Sequence, residues 1–274
     1  MSLERKDAAM IKLIASDLDG TLLQKGAQQL TLRALELIRR LTDRGICFAA
    51  ASGRQYDNEV RLFGEVGDRI SYIAENGSIC IHRGEVVSRT VIDQNLIQRI
   101  IDEVKKDGRF EILISREDSC FIEGRDPVFV NHIVNVLKNT TRIVEDVRDV
   151  EGPILKIAIG KMEAGPNMVK EYLRYLQGKF QKEIRVVTSG NVWIDFIAPG
   201  TNKGTALLSL LDRLQIKPEE CMAFGDQYND VEMLQAAGVS YAMANAVSGI
   251  SEYADYVTDS VEDVLEELLH SQNI

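Results

Sequence analysis

Nothing in the 274-residue sequence reads as a membrane span. No apolar run reaches the roughly 18 residues that a bilayer-crossing helix needs. The segment from Met1 to Met10 is polar and charged and holds no apolar signal-peptide region, so a cytoplasmic protein is expected. Cysteine is sparse: Cys47, Cys80, Cys120 and Cys221, none in a C-x-x-C pair. Spacing that wide argues against a zinc site or a disulfide framework and for buried, reduced thiols. Positive charge is in deficit, with 32 Lys and Arg against 42 Asp and Glu for a net charge of -10. Such a chain repels nucleic acid and anionic membranes, and neither is expected as a partner. An anionic substrate must therefore be drawn in by local positive charge, either a metal ion or a few placed basic residues. The phosphate-loop pattern G-x-x-x-x-G-K followed by Ser or Thr is missing. So are G-x-G-x-x-G, H-E-x-x-H and G-x-S-x-G. The three histidines (His82, His132 and His270) are scattered and read as structural or surface residues, though His132 falls where it could touch a substrate.

What is present is an ordinary globular composition, 45% hydrophobic and 27% charged, at a length that suits two domains. Residues 11–18 form a short apolar run ending in Asp-Gly, the pattern of a strand buried on both faces. Leu32, Leu35, Ile38 and Leu41 follow at helical spacing, with Thr31 as N-cap and Gly45 as stop. Residues 46–51 read as a second buried strand, which makes a βαβ unit and predicts a right-handed crossover in a parallel sheet. A third strand, 71–74, runs into the turn Glu75-Asn76-Gly77. From 84 to 197 the texture changes to alternating strands (111–115, 120–122, 154–160 and 192–197) with helical patterns at 94–106, 126–138 and 166–178. That segment reads as an inserted α+β domain, an antiparallel sheet with helices on one face. After Pro199-Gly200 the parallel texture returns. The predicted fold is α/β: a Rossmann-like parallel-sheet core, 1–83 and 198–274, carrying the insertion 84–197.

Four clusters follow core strands or open core helices, and so belong at the carboxyl edge of the sheet, where open α/β folds bind ligands. In Asp17-Leu18-Asp19-Gly20-Thr21, residues two apart on an extended chain point the same way. Two carboxylates that close favour a bound cation or one raised pKa, and a hard cation such as Mg²⁺ fits carboxylates plus a carbonyl. In Ser52-Gly53-Arg54, a hydroxyl and backbone N–H groups can hold a phosphate oxygen. Lys203 opens a helix, where the dipole disfavours a cation unless it reaches an anion. Gly225-Asp226-Gln227-Tyr228-Asn229-Asp230 crowds acids and an amide into one strand-end loop, without EF-hand spacing. Each cluster alone also reads as an ordinary turn or surface feature. Together they supply a nucleophile, cation ligands and phosphate-binding groups, the parts of a phosphoryl-transfer site.

At these four clusters the sequence resembles the haloacid dehalogenase superfamily, in its Cof-like sugar-phosphatase branch. Glu75-Asn76-Gly77 and the stretch from Met233 to Thr258 resemble further features of that branch. The insertion resembles its large α/β cap in position and texture. The resemblance implies a Mg²⁺-dependent phosphatase acting on a small phosphorylated metabolite, a sugar phosphate by analogy, as a monomer or weak homodimer. It implies that Asp17 attacks phosphorus and that Asp19 protonates the leaving alcohol and then activates water. Mg²⁺ is implied on Asp17, the Asp19 carbonyl and Asp226, supported by Asp230. Ser52, Gly53, Lys203, Asn229 and the Leu18 backbone N–H are implied to bind the phosphoryl oxygens. Ala244 stands where the branch carries Gly, and Val247 to Ser251 lacks a lysine found there. The same site also serves phosphotransferases and phosphomutases, and a low-turnover phosphate-sensing protein is the non-enzymatic alternative.

Overall fold

The computed structural model describes residues 10–163, 165–188 and 192–271. Leu13–Ser16 (β1) is buried along its whole length. Leu32–Asp43 (α1) follows, its N-cap hydroxyl on Thr31 accepting from the Ala34 N–H at 2.9 Å, and Gly45 ends the turn beyond it at φ +80°. Cys47–Ala51 (β2), Tyr56–Phe63 (α2) and Ser71–Ala74 (β3) complete the first half of the core. Ile79–His82 (β4) and Glu85–Arg89 (β5) then fold back as an antiparallel hairpin on β3.

The sequence places the start of the insertion at 84, but β5 pairs in the core sheet. An antiparallel hairpin carries the same alternating texture as the insertion, so the texture changes before the sheet does. The insertion contributes Gln94–Asp107 (α3), Glu111–Ser115 (β6), Cys120–Glu123 (β7), Pro127–Asn131 (α4), Thr141–Val144 (β8), Lys156–Gly160 (β9), Pro166–Phe180 (α5), Arg185–Thr188 (β10) and Trp193–Ile197 (β11). The core resumes with Lys203–Leu214 (α6), Cys221–Gly225 (β12), Val231–Ala236 (α7), Val239–Met243 (β13), Tyr256–Thr258 (β14) and Val261–Ser271 (α8).

Two sheets result. The eight-stranded one runs β14-β13-β12-β1-β2-β3-β4-β5, parallel from β14 through β3. Its centre is therefore β1 between β2 and β12, with Leu13, Ile14, Ala15 and Ser16 facing Cys221, Met222, Ala223 and Phe224. The six-stranded sheet runs β10-β11-β9-β6-β7-β8. It is antiparallel except for the β7–β8 pair, which is parallel. Its isoleucine-rich face (Ile112, Ile114, Ile157, Ile159 and Ile194) packs on α3 and α5 through Ile100, Tyr172 and Leu176.

The other face carries Leu113, Ala158 and Trp193 and is flanked by α4 and the π-helical turn His132–Val136. This face looks toward the carboxyl edge of the core sheet. Salt-bridged and hydrogen-bonded contacts join the two sheets there. Lys156 on β9 pairs with Glu75 at 2.5 Å and donates to the Gly53 carbonyl at 2.8 Å. Asn76 donates to Asp195 on β11 at 3.1 Å. A second seam joins α2 to the loop after the π-turn, where Asn58 donates to Asn139 at 3.0 Å and the Thr140 N–H donates to Gln55 at 3.0 Å. All four cysteines carry free thiols, and no helix among the described residues is long and apolar enough to cross a membrane.

Candidate active site

The end of β1 delivers Asp17 into a buried position. Its N–H donates to the Phe224 carbonyl on β12 at 3.0 Å, which ties the two strand ends together. The Lys203 ammonium reaches down from the first residue of α6 and donates at 2.6 Å to both Asp17 Oδ1 and Asp230 Oδ1. Lys203 is 0% exposed. A lysine facing the positive end of a helix is explained by these two anions. Asn202 caps that helix, its Oδ1 accepting from the Thr205 N–H at 2.7 Å.

The loop after β12 brings the rest of the acidic cluster. Asp226 Oδ1 accepts from the Thr21 hydroxyl at 2.9 Å. The turn that presents Thr21 needs glycine: Gly20 sits at φ +97°, and a Cβ there would lie 2.2 Å from Asp226 Oδ2. Asn245 pins the same turn by donating to the Gly20 carbonyl at 2.8 Å. Asp17, Asp226 and Asp230 each offer a carboxylate oxygen within 4.8 Å of the others. Burial, reinforced by the neighbouring acids, pushes the Asp17 carboxyl well above the usual range against the opposing pull of Lys203. Burial and Asp230 push Asp226 up as well.

Three buried carboxylates thus face one buried ammonium. Carboxylates that close repel one another unless a positive charge lies between them. Clustered carboxylate oxygens are the donors a hard divalent cation takes, so the donor set fits Mg²⁺.

The cluster assigns its acids different tasks. Asp230 accepts the Asp226 and Gln227 N–H groups on Oδ2 at 2.9 and 3.0 Å, and Lys203 on Oδ1. Both of its oxygens are therefore engaged in shaping the loop and orienting Lys203. The Asp19 side chain stands apart, 53% exposed, and both its oxygens accept from the Arg54 guanidinium at 2.6 and 2.7 Å. A metal role for Asp19 thus rests on its backbone carbonyl.

Ser52 and Gly53 lie at the end of β2, where the buried Ser52 Oγ accepts from the Arg54 N–H at 3.2 Å. Gly53 lies against Asn76, whose Oδ1 would be 3.1 Å from a Cβ. Asn229 donates to that same Asn76 Oδ1 at 3.0 Å. Leu18 is fully buried and anchors the turn in the core. Its carbonyl accepts from the N–H groups of Thr21 and Leu23.

Several contributors were not legible. Arg54 sits inside a recognised cluster, but its bidentate hold on Asp19 depends on the fold. Glu75, Asn76, Lys156 and Asp195 form a buried polar seam between the sheets. The faint signal for it is a lysine and an aspartate in otherwise apolar strands. A cavity of about 430 Å³ opens over the cluster, lined on one side by Asp17, Asp19, Ser52, Arg54 and Asn229, and on the other by His132, Leu137 and Trp193.

Comparison with known proteins finds relatives over most of the chain. The chain is 27% identical over 264 residues to the 5-amino-6-(5-phospho-D-ribitylamino)uracil phosphatase YbjI of Escherichia coli, covering 94% of this chain and 96% of that one. It is 26% identical over 250 residues to a phosphoglycolate phosphatase of Methanoculleus marisnigri, covering 91% of each. The structure of a haloacid dehalogenase-like hydrolase from Bacteroides thetaiotaomicron superposes with a TM-score of 0.82 at 26% identity, over 94% of this chain and 99% of that one. The family model for haloacid dehalogenase-like hydrolases matches residues 14–268, and the chain belongs to that family.

Proposed function

We propose that this protein is a Mg²⁺-dependent phosphomonoesterase that hydrolyses a small phosphorylated metabolite, of the sugar-phosphate type, through a phosphorylated Asp17. The observation that carries the reading is the buried bridge Asp17–Lys203–Asp230 beside Asp226. It holds a carboxylate at a strand end with one oxygen fixed by an ammonium, next to a donor set for a hard cation. The substrates named for the relatives are phosphate esters of small molecules, which supports the substrate class.

Asp17 attacks phosphorus, forming the Oδ–P bond as the P–O bond to the leaving alcohol breaks. Asp19 gives its proton to the leaving oxygen. It then takes a proton from water as the water oxygen bonds to phosphorus and the Asp17–P bond breaks, returning both residues to their starting states. For Asp19 to carry that proton, one of its two hydrogen bonds from Arg54 has to be released. Lys203, Ser52, the Gly53 backbone and Asn229 hold the phosphoryl oxygens. Mg²⁺ bound by Asp17, the Asp19 carbonyl and Asp226, with Asp230 behind them, supplies positive charge that lets an anionic nucleophile approach a phosphate dianion. The residues from about 90 to 197 serve as a cap that excludes water and selects the leaving group. The division moves from 84 to about 90 because β5 is a core strand.

The test is phosphate release from a panel of phosphomonoesters, with Mg²⁺ and with chelator. Release that disappears with chelator and returns with Mg²⁺ is expected. Release indifferent to chelator would contradict the metal role, and phosphate delivered to an added alcohol in place of water would identify a transferase. Asp19→Asn is expected to slow turnover by at least about 10²-fold, the usual scale for a general acid–base group. An unchanged rate would remove Asp19 from that role.

A further inference from the structure

Two consecutive residues other than glycine hold left-handed backbone beside the site. Glu75 sits at φ +51° and Asn76 at φ +58°, and both are buried. Asparagine is one of the few residues that adopt this conformation readily, and glutamate is not. Such strain persists only where the surroundings over-determine it. Here they do. The Asn76 N–H donates to the Ser52 carbonyl at 2.9 Å and the Glu75 N–H to the Arg54 carbonyl at 2.9 Å. A peptide is planar and trans, so holding the Ser52 carbonyl also aims the Gly53 N–H in the opposite direction, away from the turn. Gly77 abuts the start of α6, where a Cβ would lie 2.2 Å from the Asn202 carbonyl oxygen. The turn thus braces both Gly53 and the helix that carries Lys203.

The Asn76 side chain extends the brace to Asn229 and to the inserted sheet. Its amide lies against Gly53. Its Oδ1 accepts from Asn229 Nδ2 at 3.0 Å, and its Nδ2 donates to Asp195 on β11 at 3.1 Å. An amide has an accepting end and a donating end, so a partner at one end decides which way both point. Asp195 is buried near the Lys156 ammonium, whose charge Asp195 and Glu75 favour against the opposing effect of burial. A carboxylate facing an ammonium only accepts. It therefore draws the Asn76 Nδ2 to itself and turns Oδ1 toward Asn229. That oxygen takes a hydrogen bond from Asn229 Nδ2 and fixes the plane of the second amide.

Building on the phosphatase reading, we propose that Asn76 is a positioning residue for phosphoryl binding, and that Asp195 of the inserted sheet acts through it to orient the Asn229 amide on the phosphoryl oxygens. The insertion then contributes to the phosphate subsite through the chain Asp195–Asn76–Asn229, besides covering the leaving group.

Inorganic phosphate carries no leaving group, so its binding reports on the phosphoryl subsite alone. The full-length enzyme with Mg²⁺ is assayed on p-nitrophenyl phosphate, with orthophosphate titrated as a competitive inhibitor. The resulting Ki does not depend on how much of the enzyme is folded. Asn76→Gly removes the amide and accepts the left-handed backbone, so the turn keeps its shape. It is expected to raise the phosphate Ki about tenfold, the scale of one misdirected hydrogen bond to an anion. Asn229→Ala is expected to raise it similarly, and the two substitutions together no further, because residues acting through one contact are not additive. Asn76→Asp alone sets two carboxylates face to face and is expected to weaken phosphate binding. Adding Asp195→Asn exchanges the places of amide and carboxylate, restores both hydrogen bonds, and is expected to return the Ki toward the unaltered value. An unchanged Ki in Asn76→Gly, effects that multiply in the doubly substituted protein, or no recovery in the paired exchange overturns the inference and leaves the phosphatase reading standing. No phosphate release by the unaltered enzyme overturns both.

Discussion

Asp17→Asn is expected to abolish Mg²⁺-dependent phosphate release, with a fall of at least about 10⁴-fold, because an amide oxygen is a poor nucleophile for phosphorus. The fold should survive the change. Asp17 is one of three buried acids around a single buried ammonium, and burial works against its charged form. Asparagine has nearly the same shape, and its carbonyl oxygen can still accept from Lys203. Removing one of three crowded charges also relieves repulsion with Asp226 and Asp230. The thermal midpoint should therefore stay level or rise while activity is lost, a pattern that separates a chemical role from a structural one. Turnover near the wild-type level in this variant would remove Asp17 as the phosphoryl acceptor.

Lys203→Met is expected to cost both stability and activity. The ammonium is fully buried and donates to two buried carboxylates at 2.6 Å. Removing it strands both, and an unpaired charge left in the interior costs about 3–5 kcal/mol. For a chain of this size that corresponds to a fall in thermal midpoint on the order of 10 °C. Mg²⁺ should recover part of the loss, because a cation that binds only the folded cluster stabilises it by mass action. Turnover should fall by at least about 10²-fold, since a preorganised positive group at the phosphoryl site is lost. An unchanged midpoint would show that the bridge carries no net stability.

The pH dependence of the Lys203 contribution follows from its partners. Burial opposes the charged form, but Asp17 and Asp230 outweigh it and raise the folded-state pKa above the ordinary lysine value. A raised pKa gives stability that is fully present below the unfolded value and lost only as pH climbs through the folded one. Lys203 therefore stays charged across the physiological range.

Much of the core was legible in the sequence because buried parallel strands are written as unbroken apolar runs. Residues 11–18, 46–51 and 71–74 all mark strands of the observed core sheet. The helices read at 94–106 and 166–178 match α3 and α5 because each buries one apolar stripe. The edges were less legible. Thr141–Val144 pairs only with β7 and Arg185–Thr188 only with β11. Strands at a sheet edge need no regular apolar alternation, and neither segment shows it. The pattern at 126–138 reads as one helix, but the chain forms a short α-helix and then a π-turn. Side-chain periodicity barely distinguishes the two. At the site, the sequence clusters pointed to acids that the fold brings together, Asp17, Asp226 and Asp230. Spacing alone does not separate Asp226 from Asp230; the resemblance implies different roles for them, and the fold adds that both oxygens of Asp230 are committed to backbone N–H groups and Lys203.

The position of β1 carries a consequence for how the protein is made. Its two neighbours begin at Cys47 and Cys221. On a ribosome adding about 5–20 residues per second, β2 follows within seconds, whereas β12 comes only after about 10–40 s of further synthesis. During that interval the strand Leu13–Ser16, apolar but for Ser16, has one open edge, a template for pairing with other nascent chains. Asp17 meanwhile waits without Lys203. The same long-range closure that brings together the two halves of the site leaves the half-made chain inactive, with one edge of β1 unpaired.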